Sequence, residues 1–384
     1  MKKRIQIALF LTLFIGLLGC GSSDTSNSLS LKPVNGLVTF QLDQSTSNVS
    51  DGLQYFFDEK TGQELLFSLN TIKNEIQVFD FERNELIKRL AFDVEGPRGV
   101  GSIGAFYVHG LDSLLLFPNS GGKLFLVSSI DESLNSIEYQ VPEGYGSAEV
   151  STTFFSAKPL VKNGKLIAKT LYQGNYSTVT NQELSRRHTS YAIDLKSGVT
   201  NLLSPTFPDD YMRSMKKHFQ FSFSATENGI AYSFWGDHNL YFLKDENAQL
   251  EEKLARSEAL VTEWEALPLG GSRMDRAKYF AGSAHYGNII YDPYREVYYR
   301  FAFPKVEVED GADIGVLARF PSKFSVMVLS KDLNLIGETE LSQTGQYVVS
   351  NAFVGRDGLY LSVNHPENEE NEEDYLSFKL FKLK

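Results

Sequence analysis

The sequence predicts an all-β protein: a six-bladed β-propeller of four-stranded antiparallel blades, closed by an N-terminal strand in the last blade. Three observations carry this. From Leu37 onward apolar residues recur with a period of two. Leu65, Phe67 and Leu69 alternate with Leu66, Ser68 and Asn70, and Ile230, Tyr232 and Phe234 with Ala231, Ser233 and Trp235. Such alternation sends one set of side chains to each face of a sheet. Aromatic residues make up 13% of the chain, with 28 Phe and 19 Tyr, which suits pleated surfaces packed on both sides. The third observation is a weak internal repeat: an apolar strand, a connector, a second apolar strand, then an Asp turn into a last strand.

Taken in order, the clearest copy is Leu65–Leu69, Glu75–Phe79, and Asp80 before Glu85–Leu90. Leu114–Phe117, Lys123–Ser128 and Asp131 follow, then Leu166–Leu171, Ser190–Ile193 and Asp194 with Gly198. Ile230–Trp235, Asn239–Leu243 and Asp245 form the fourth copy, and Val297–Phe303, Phe324–Leu329 and Asp332 the fifth. Leu359–Val363 and Leu376–Leu383 end without a following strand. Leu37–Leu42 is the expected partner, and pairing it there closes the ring and removes open edges. Six units over about 350 residues give roughly 55–60 residues per blade, a little above typical propeller repeats. Five or seven blades are the neighbouring counts, and a pair of β-sandwiches is the rival fold. Leu250, Leu254, Val261 and Trp264 stand at helical spacing in Asn247–Pro268, which predicts a helix or long excursion near residues 247–281, between the fourth and fifth blades.

The N-terminus has a different composition. Lys2, Lys3 and Arg4 precede the apolar run Ile5–Leu18, which is too short for a stable membrane span and reads as an export signal. Leu17-Leu18-Gly19-Cys20 resembles a bacterial lipoprotein signal: a small residue admits the cut site, and the thiol of Cys20 takes the lipid. Residues 1–19 are then the signal peptide, 20–36 a polar tether, and 37–384 the propeller domain. Cleavage before Cys20 leaves 365 residues; the 37 basic residues fall to 34 against 48 acidic, and the formal charge moves from −11 to about −14. That acidity argues against nucleic acid as a partner. Cys20 is the one cysteine, so the folded domain has no disulfide, thiolate metal site or cysteine nucleophile. Ser22-Ser23-Asp24 is a weak match to acidic surface-display signals, leaving the membrane face open. The address expected is the cell envelope, at the outer membrane.

The lipoprotein signal, the blade Asn74-Glu75-Ile76-Gln77-Val78-Phe79-Asp80, the linker Glu95-Gly96-Pro97-Arg98-Gly99-Val100-Gly101, and Tyr291-Asp292-Pro293-Tyr294-Arg295 followed by Tyr298-Tyr299-Arg300 together resemble a family of Bacteroidota lipoproteins. It is a domain of unknown function, the 4221 family, similar in shape to NHL-like and TolB-like propellers. The resemblance covers nearly the whole chain and implies a six-bladed propeller and an envelope address. It implies no activity. The same segments have a plain physical reading: Asp292-Pro293 opens a type I turn, with Pro pre-setting φ and Asp capping. Gly96-Pro97-Arg98-Gly99 makes a tight inter-blade crossing from which Arg98 projects.

Strand parity points to one working face. Connectors after second strands and links between blades emerge on the same rim. The long segments Tyr172–His188, Pro304–Lys323, His365–Tyr375, Ser204–His218 and Asn247–Ala281 all belong to it. Aromatic and basic groups there make Arg98, Tyr145, Tyr211, Arg213, Trp235, His238, Arg273, His285, Tyr286 and Arg300 the candidate ligand-binding residues, a mixture suited to sugars or extended peptides. No Gly-x-Ser-x-Gly elbow, His-Glu-x-x-His or phosphate loop is present, so no catalytic residue and no cofactor is assigned. Asp237, His238 and His285 are the nearest approach to a metal set, and no metal site is assigned to them. The reading is a lipid-anchored envelope propeller acting as a binding or scaffold module for a protein, peptide or glycan. A hydrolase or lyase acting on polysaccharide is the alternative.

Overall fold

The computed structural model describes residues 29–245, 248–260, 263–341 and 345–384. The expected export signal, Cys20 and the expected tether as far as residue 28 lie outside the described residues. Six antiparallel sheets form the blades of a propeller. Blade one comprises Leu53–Asp58, Gln63–Asn70, Glu75–Asp80 and Glu85–Ala91, and blade two Ile103–Gly110, Ser113–Pro118, Lys123–Val127 and Leu134–Glu138. Blade three comprises Leu160–Lys162, Lys165–Lys169, Ser190–Asp194 and Thr200–Leu202, and blade four Phe221–Thr226, Gly229–Phe234, Asn239–Leu243 and Glu251–Leu254. Blade five holds His285–Asp292, Val297–Phe303, Phe324–Ser330 and Leu335–Leu341. In blade six, Val348–Gly355, Gly358–Ser362 and Tyr375–Leu383 come from the end of the chain.

The period-two pattern does its work between blades. Leu65, Phe67 and Leu69 face blade two and pack with Ile103, Phe106 and Val108. Leu66, between them in sequence, faces the other way and packs with Phe40, Phe353 and Phe378 of blade six. Ile230, Tyr232 and Phe234 share a cluster with Phe221 and Phe223, while Ala231 turns to Tyr286 and Tyr298 of blade five. Tyr298 and Tyr299 divide in the same way, one toward blade four and one toward blade six. Each fully buried Leu or Phe contributes roughly 1.5–3 kcal/mol, so an inter-blade face of this size outweighs any single hydrogen bond.

The expected closure is present, in two pieces. Val38–Gln41 pairs with Phe378 back to Tyr375, and Leu31–Pro33 pairs with Leu383 back to Phe381, with the Val34 N–H donating to the Leu380 carbonyl at 2.8 Å between them. The expected helical pattern at 247–268 is corrected. Glu251–Leu254 is the outer strand of blade four, paired with Asn239–Phe242. Leu254 is 74% exposed and Leu250 37%, so their spacing reflects no buried stripe. A helix does occur in the predicted excursion, farther along, at Arg273–Gly282.

Asp turns recur as the repeat predicts. The carboxylates of Asp80, Asp194 and Asp292 each accept the backbone N–H groups two and three residues on, at 2.7–3.1 Å. Four residues after each Asp the chain enters the left-handed region, at Asn84 (φ 58), Gly198 (φ 70) and Glu296 (φ 51). Asp292 is fully buried and also accepts from the Tyr299 hydroxyl and the Arg295 guanidinium, which in turn donates to the carbonyls of Gly355 and Arg356 in blade six. The Tyr291–Arg295 motif is thus a turn that also ties blade five to blade six. In the linker between blades one and two, the Gly99 N–H donates to the Gly96 carbonyl at 2.9 Å, and a Cβ on Gly99 would stand 2.7 Å from the Glu95 backbone.

This turn yields two opposite expectations in thermal or urea unfolding. Asp292→Ala strands Arg295 and two backbone donors and should lower stability by about 3 kcal/mol. Glu296→Gly relieves a left-handed non-glycine residue and should raise stability by about 0.5–1 kcal/mol.

Candidate functional site

In every blade the inner strand begins, and the second strand ends, on the rim that carries the long connectors. Two of these connectors hold helices that pack on one another beside the axis. Arg273–Gly282 starts with a capping box between Ser272 and Asp275, and Ile314–Arg319 is capped by Asp313. They wall a cavity of about 640 Å³ at the mouth of the central channel.

The cavity floor comes from a segment with no counterpart among the described residues of the other inter-blade links. The chain between blades two and three dives into the channel, where Ala157–Lys158 adds a parallel strand to Phe223–Ser224 of blade four. Thr152 Oγ1 accepts the Leu53 N–H of blade one at 2.9 Å. Asn288 of blade five accepts the Ser156 N–H at 2.9 Å and donates to the Thr153 carbonyl at 2.6 Å. The Ser156 and Ser222 hydroxyls lie 2.7 Å apart. Three blades therefore hold this plug. Phe155 sits at φ 48, an uncommon conformation for an aromatic residue, and its neighbour Phe154 stands 41% exposed in the cavity.

An aromatic wall rises from the floor. The Trp235 indole stacks on His285 (5.4 Å between centroids, 6°), and His285 stacks on Phe303 (4.7 Å, 16°). His218 meets Phe280 edge-on at 4.7 Å. Burial pushes the His218 imidazole down to about 3, helped by the charge of nearby Lys169, and burial pushes His285 down to about 4. Both rings are therefore neutral at physiological pH. His285 Nδ1–H donates to the Ser283 carbonyl at 2.8 Å, whereas His218 Nδ1 is buried with no partner among the described residues. Among the described residues of the lining, Asp51 and Arg319 bear the charges. They stand 4.0 Å apart, each about half exposed, so their attraction is weak. Such a lining offers flat apolar contact and a few polar groups, the usual make-up of a ligand pocket.

The predicted site residues divide. Trp235 and His285 line the cavity. Arg300, Tyr286, His238 and Tyr211 do not, and here the sequence reading is corrected: they are framework, His238 half-buried and the other three buried. Arg300 has no exposure; its guanidinium lies 3.3 Å from the Tyr286 ring centroid and donates to Ser233 Oγ and the carbonyls of Asp237, His238 and Ala255. A buried guanidinium needs this ring of acceptors to stay charged, and in meeting that need it joins blade five to blade four. His238 Nδ1 bonds the Tyr286 hydroxyl at 2.8 Å, and the Tyr211 hydroxyl donates to the His218 carbonyl at 2.5 Å. Tyr145 is buried too, its hydroxyl accepting the His188 N–H at 2.8 Å. Arg98, Arg213 and Arg273 are exposed and lie outside the lining, Arg98 reaching the Glu132 carbonyl at 3.5 Å. Asp237 caps Asn239 and accepts from Tyr241 rather than joining His238 and His285, and among the described residues no group of three or more His, Cys, Asp or Glu is placed to hold a metal. Sequence reasoning missed Phe154, Phe155, Phe280 and Arg319. Thr152-Thr153-Phe154-Phe155 carries no local signal that it enters the channel.

Two measurements check this division. Arg300→Leu should cost on the order of 3 kcal/mol in unfolding experiments, because several buried acceptors lose their donor, while Phe154→Ser should change stability little. The second concerns pH. Below the ordinary histidine value of 6.5 the unfolded chain binds protons that the folded chain refuses until about 3 at His218 and about 4 at His285. Their contribution is complete above 6.5 and is lost as pH falls toward the folded values. The midpoint temperature should therefore fall less steeply between pH 6 and 4, roughly, in a His218→Gln/His285→Gln variant than in the parent.

Comparison with known proteins agrees with the fold. The model of a domain of unknown function, DUF4221, matches residues 28–340. A crystal structure of a DUF4221 member from Bacteroides vulgatus ATCC 8482 superposes with a TM-score of 0.83 at 25% identity, covering 94% of this chain and 99% of that one. A candidate exported protein from Bacteroides fragilis NCTC 9343 shares the fold more distantly, with a TM-score of 0.54 at 11% identity over 94% of this chain and 97% of that one. No curated protein sequence matches. With a six-bladed architecture and a family match over most of its length, the chain belongs to the DUF4221 family.

Proposed function

We propose that the protein is a lipid-anchored envelope module that uses the rim cavity to bind an apolar segment of a protein or peptide partner. The observation that carries this is the cavity itself: about 640 Å³, floored by the exposed Phe154, walled by Trp235, His285 and Phe280, and gathered under the long connectors. Its lining is mainly apolar, with Ser50, Asp51, Thr153, Asn288, Arg319 and Ser350 as the polar side chains beside the two imidazoles, which favours a hydrophobic peptide segment over a hydroxyl-rich sugar. Among the described residues of the lining, Asp51 is the one carboxylate, where glycoside hydrolysis ordinarily uses two.

Export and anchoring rest on the Leu17–Cys20 signal, with support from the likeness to the candidate exported protein. The anchor suits the cavity's orientation. Leu29, the first described residue, donates to the Ile336 carbonyl at 3.0 Å, and Leu31 pairs with Leu383, both on the rim opposite the cavity. A lipid on Cys20 would then attach from the far side, leaving the cavity facing away from the bilayer.

The test places a benzoylphenylalanine photocrosslinker at Phe154 in the lipidated protein and irradiates intact cells, with Ile130 on the opposite rim as control. A single protein captured from Phe154 and not from Ile130, and lost when Phe280→Asp is added, is the expected result. A saccharide adduct, equal capture at both positions, or turnover of a polysaccharide that disappears in Asp51→Asn would overturn the reading.

A further inference from the structure

The plug divides the channel, and its other side opens onto the opposite face as a second cavity of about 300 Å³. Its walls are inner strands of blades one, two, four, five and six, with Tyr55, Tyr291 and Phe353 among the rings. Tyr55 and Phe353 lie nearly parallel at 6.2 Å. Among the described residues of this lining, Lys158 is the one charged side chain, and no Asp or Glu joins it. That contrasts with a chain whose net charge is −11.

Lys158 is unusual in its surroundings. It lies on the innermost strand, with protein on every side, yet its side chain remains open to the channel. Among the described residues it has neither an ion-pair nor a hydrogen-bond partner. Desolvation by the surrounding protein, with no counter-charge to offset it, lowers the pKa of its ammonium. Beside it, at the paired position of the parallel ladder, is Ser224. Paired residues on neighbouring strands project to the same face. Ser224 is 1% exposed and lines the same cavity, and its Oγ has no hydrogen-bond partner among the described residues. Nearby polar groups are already engaged: the Gln54 amide by the Val108 backbone at 2.8 Å, the Tyr55 hydroxyl by Glu64 at 2.5 Å. An unpaired cation open to the channel, beside a buried hydroxyl that is also unsatisfied, is what a site for an anionic oxygen requires.

We propose that this cavity is a second binding site, for a small ligand with a carboxylate head and an apolar body. Lys158 and Ser224 take the carboxylate, and Tyr55, Tyr291 and Phe353 take the body. The site lies on the other side of the plug from the rim cavity and stands or falls independently of it.

The experiment uses the purified full chain with 4-phenylbutanoate and its neutral amide as probes, followed by calorimetry. The acid should bind at least about tenfold more tightly than the amide, a difference that Lys158→Met removes and Ser224→Ala reduces. A second readout needs no variant: acetylation of Lys158 by an N-hydroxysuccinimide ester, followed by mass spectrometry, should be slowed by the acid and not by the amide. Equal affinity of the two probes, absence of saturable binding, or Lys158 acetylation indifferent to the acid would overturn the proposal.

Discussion

Ring closure is the constraint on which the rest of the molecule depends. Second strands such as Ser113–Pro118 and Val297–Phe303 bury apolar side chains on both faces, so each blade needs a neighbour on each side. Blade one's Leu66 and Phe79 and blade six's Phe353 and Phe378 can be covered only by each other. Pairing Val38–Gln41 and Leu31–Pro33 with Tyr375–Leu383 makes one blade from both ends of the chain, so the ring cannot open without breaking a sheet. Phe40, on the N-terminal strand, is fully buried in that same interface, edge-on to Phe79 at 5.2 Å. Main-chain pairing and side-chain burial thus act at one seam.

With the ring closed, the interior becomes a channel, and the plug determines what the channel can do. Its bonds to Leu53, Asn288 and Phe223 come from three blades, so the segment holds its place only in the assembled ring. The two cavities it separates have different chemistry. The rim side is aromatic, with two imidazoles held neutral by burial. The opposite side has one cation and one unpaired hydroxyl. The same backbone presents Phe154 to one and Lys158 to the other, four residues apart.

Charged groups elsewhere in the ring are used for cohesion. Arg300 spends its donors on four acceptors in blade four, and Arg295 joins Asp292 to the carbonyls of blade six. A guanidinium has five donors in a rigid fork, which lets one side chain satisfy several backbone carbonyls where blades meet. Residue type alone did not separate Arg300 from a ligand-binding arginine, because both roles call for the same donor geometry.

The alternation in Leu65–Leu69 and Ile230–Trp235, the Asp turns at Asp80, Asp194 and Asp292, and the unpaired last blade were legible in the sequence, since each expresses the geometry of a strand or a turn within a few residues. The side of the ring carrying the long connectors was legible too, because antiparallel pairing fixes it by parity. Glu251–Leu254 misled: an outer strand is solvated on both sides, and its apolar spacing carries no information about period. The candidate sites were legible only at Trp235 and His285. Phe154, Lys158, Ser224 and Arg319 acquire their roles from neighbours far away in the chain, across a channel that exists only once six blades have closed. Local geometry writes itself into sequence pattern, whereas convergence of distant side chains is decided by tertiary packing alone.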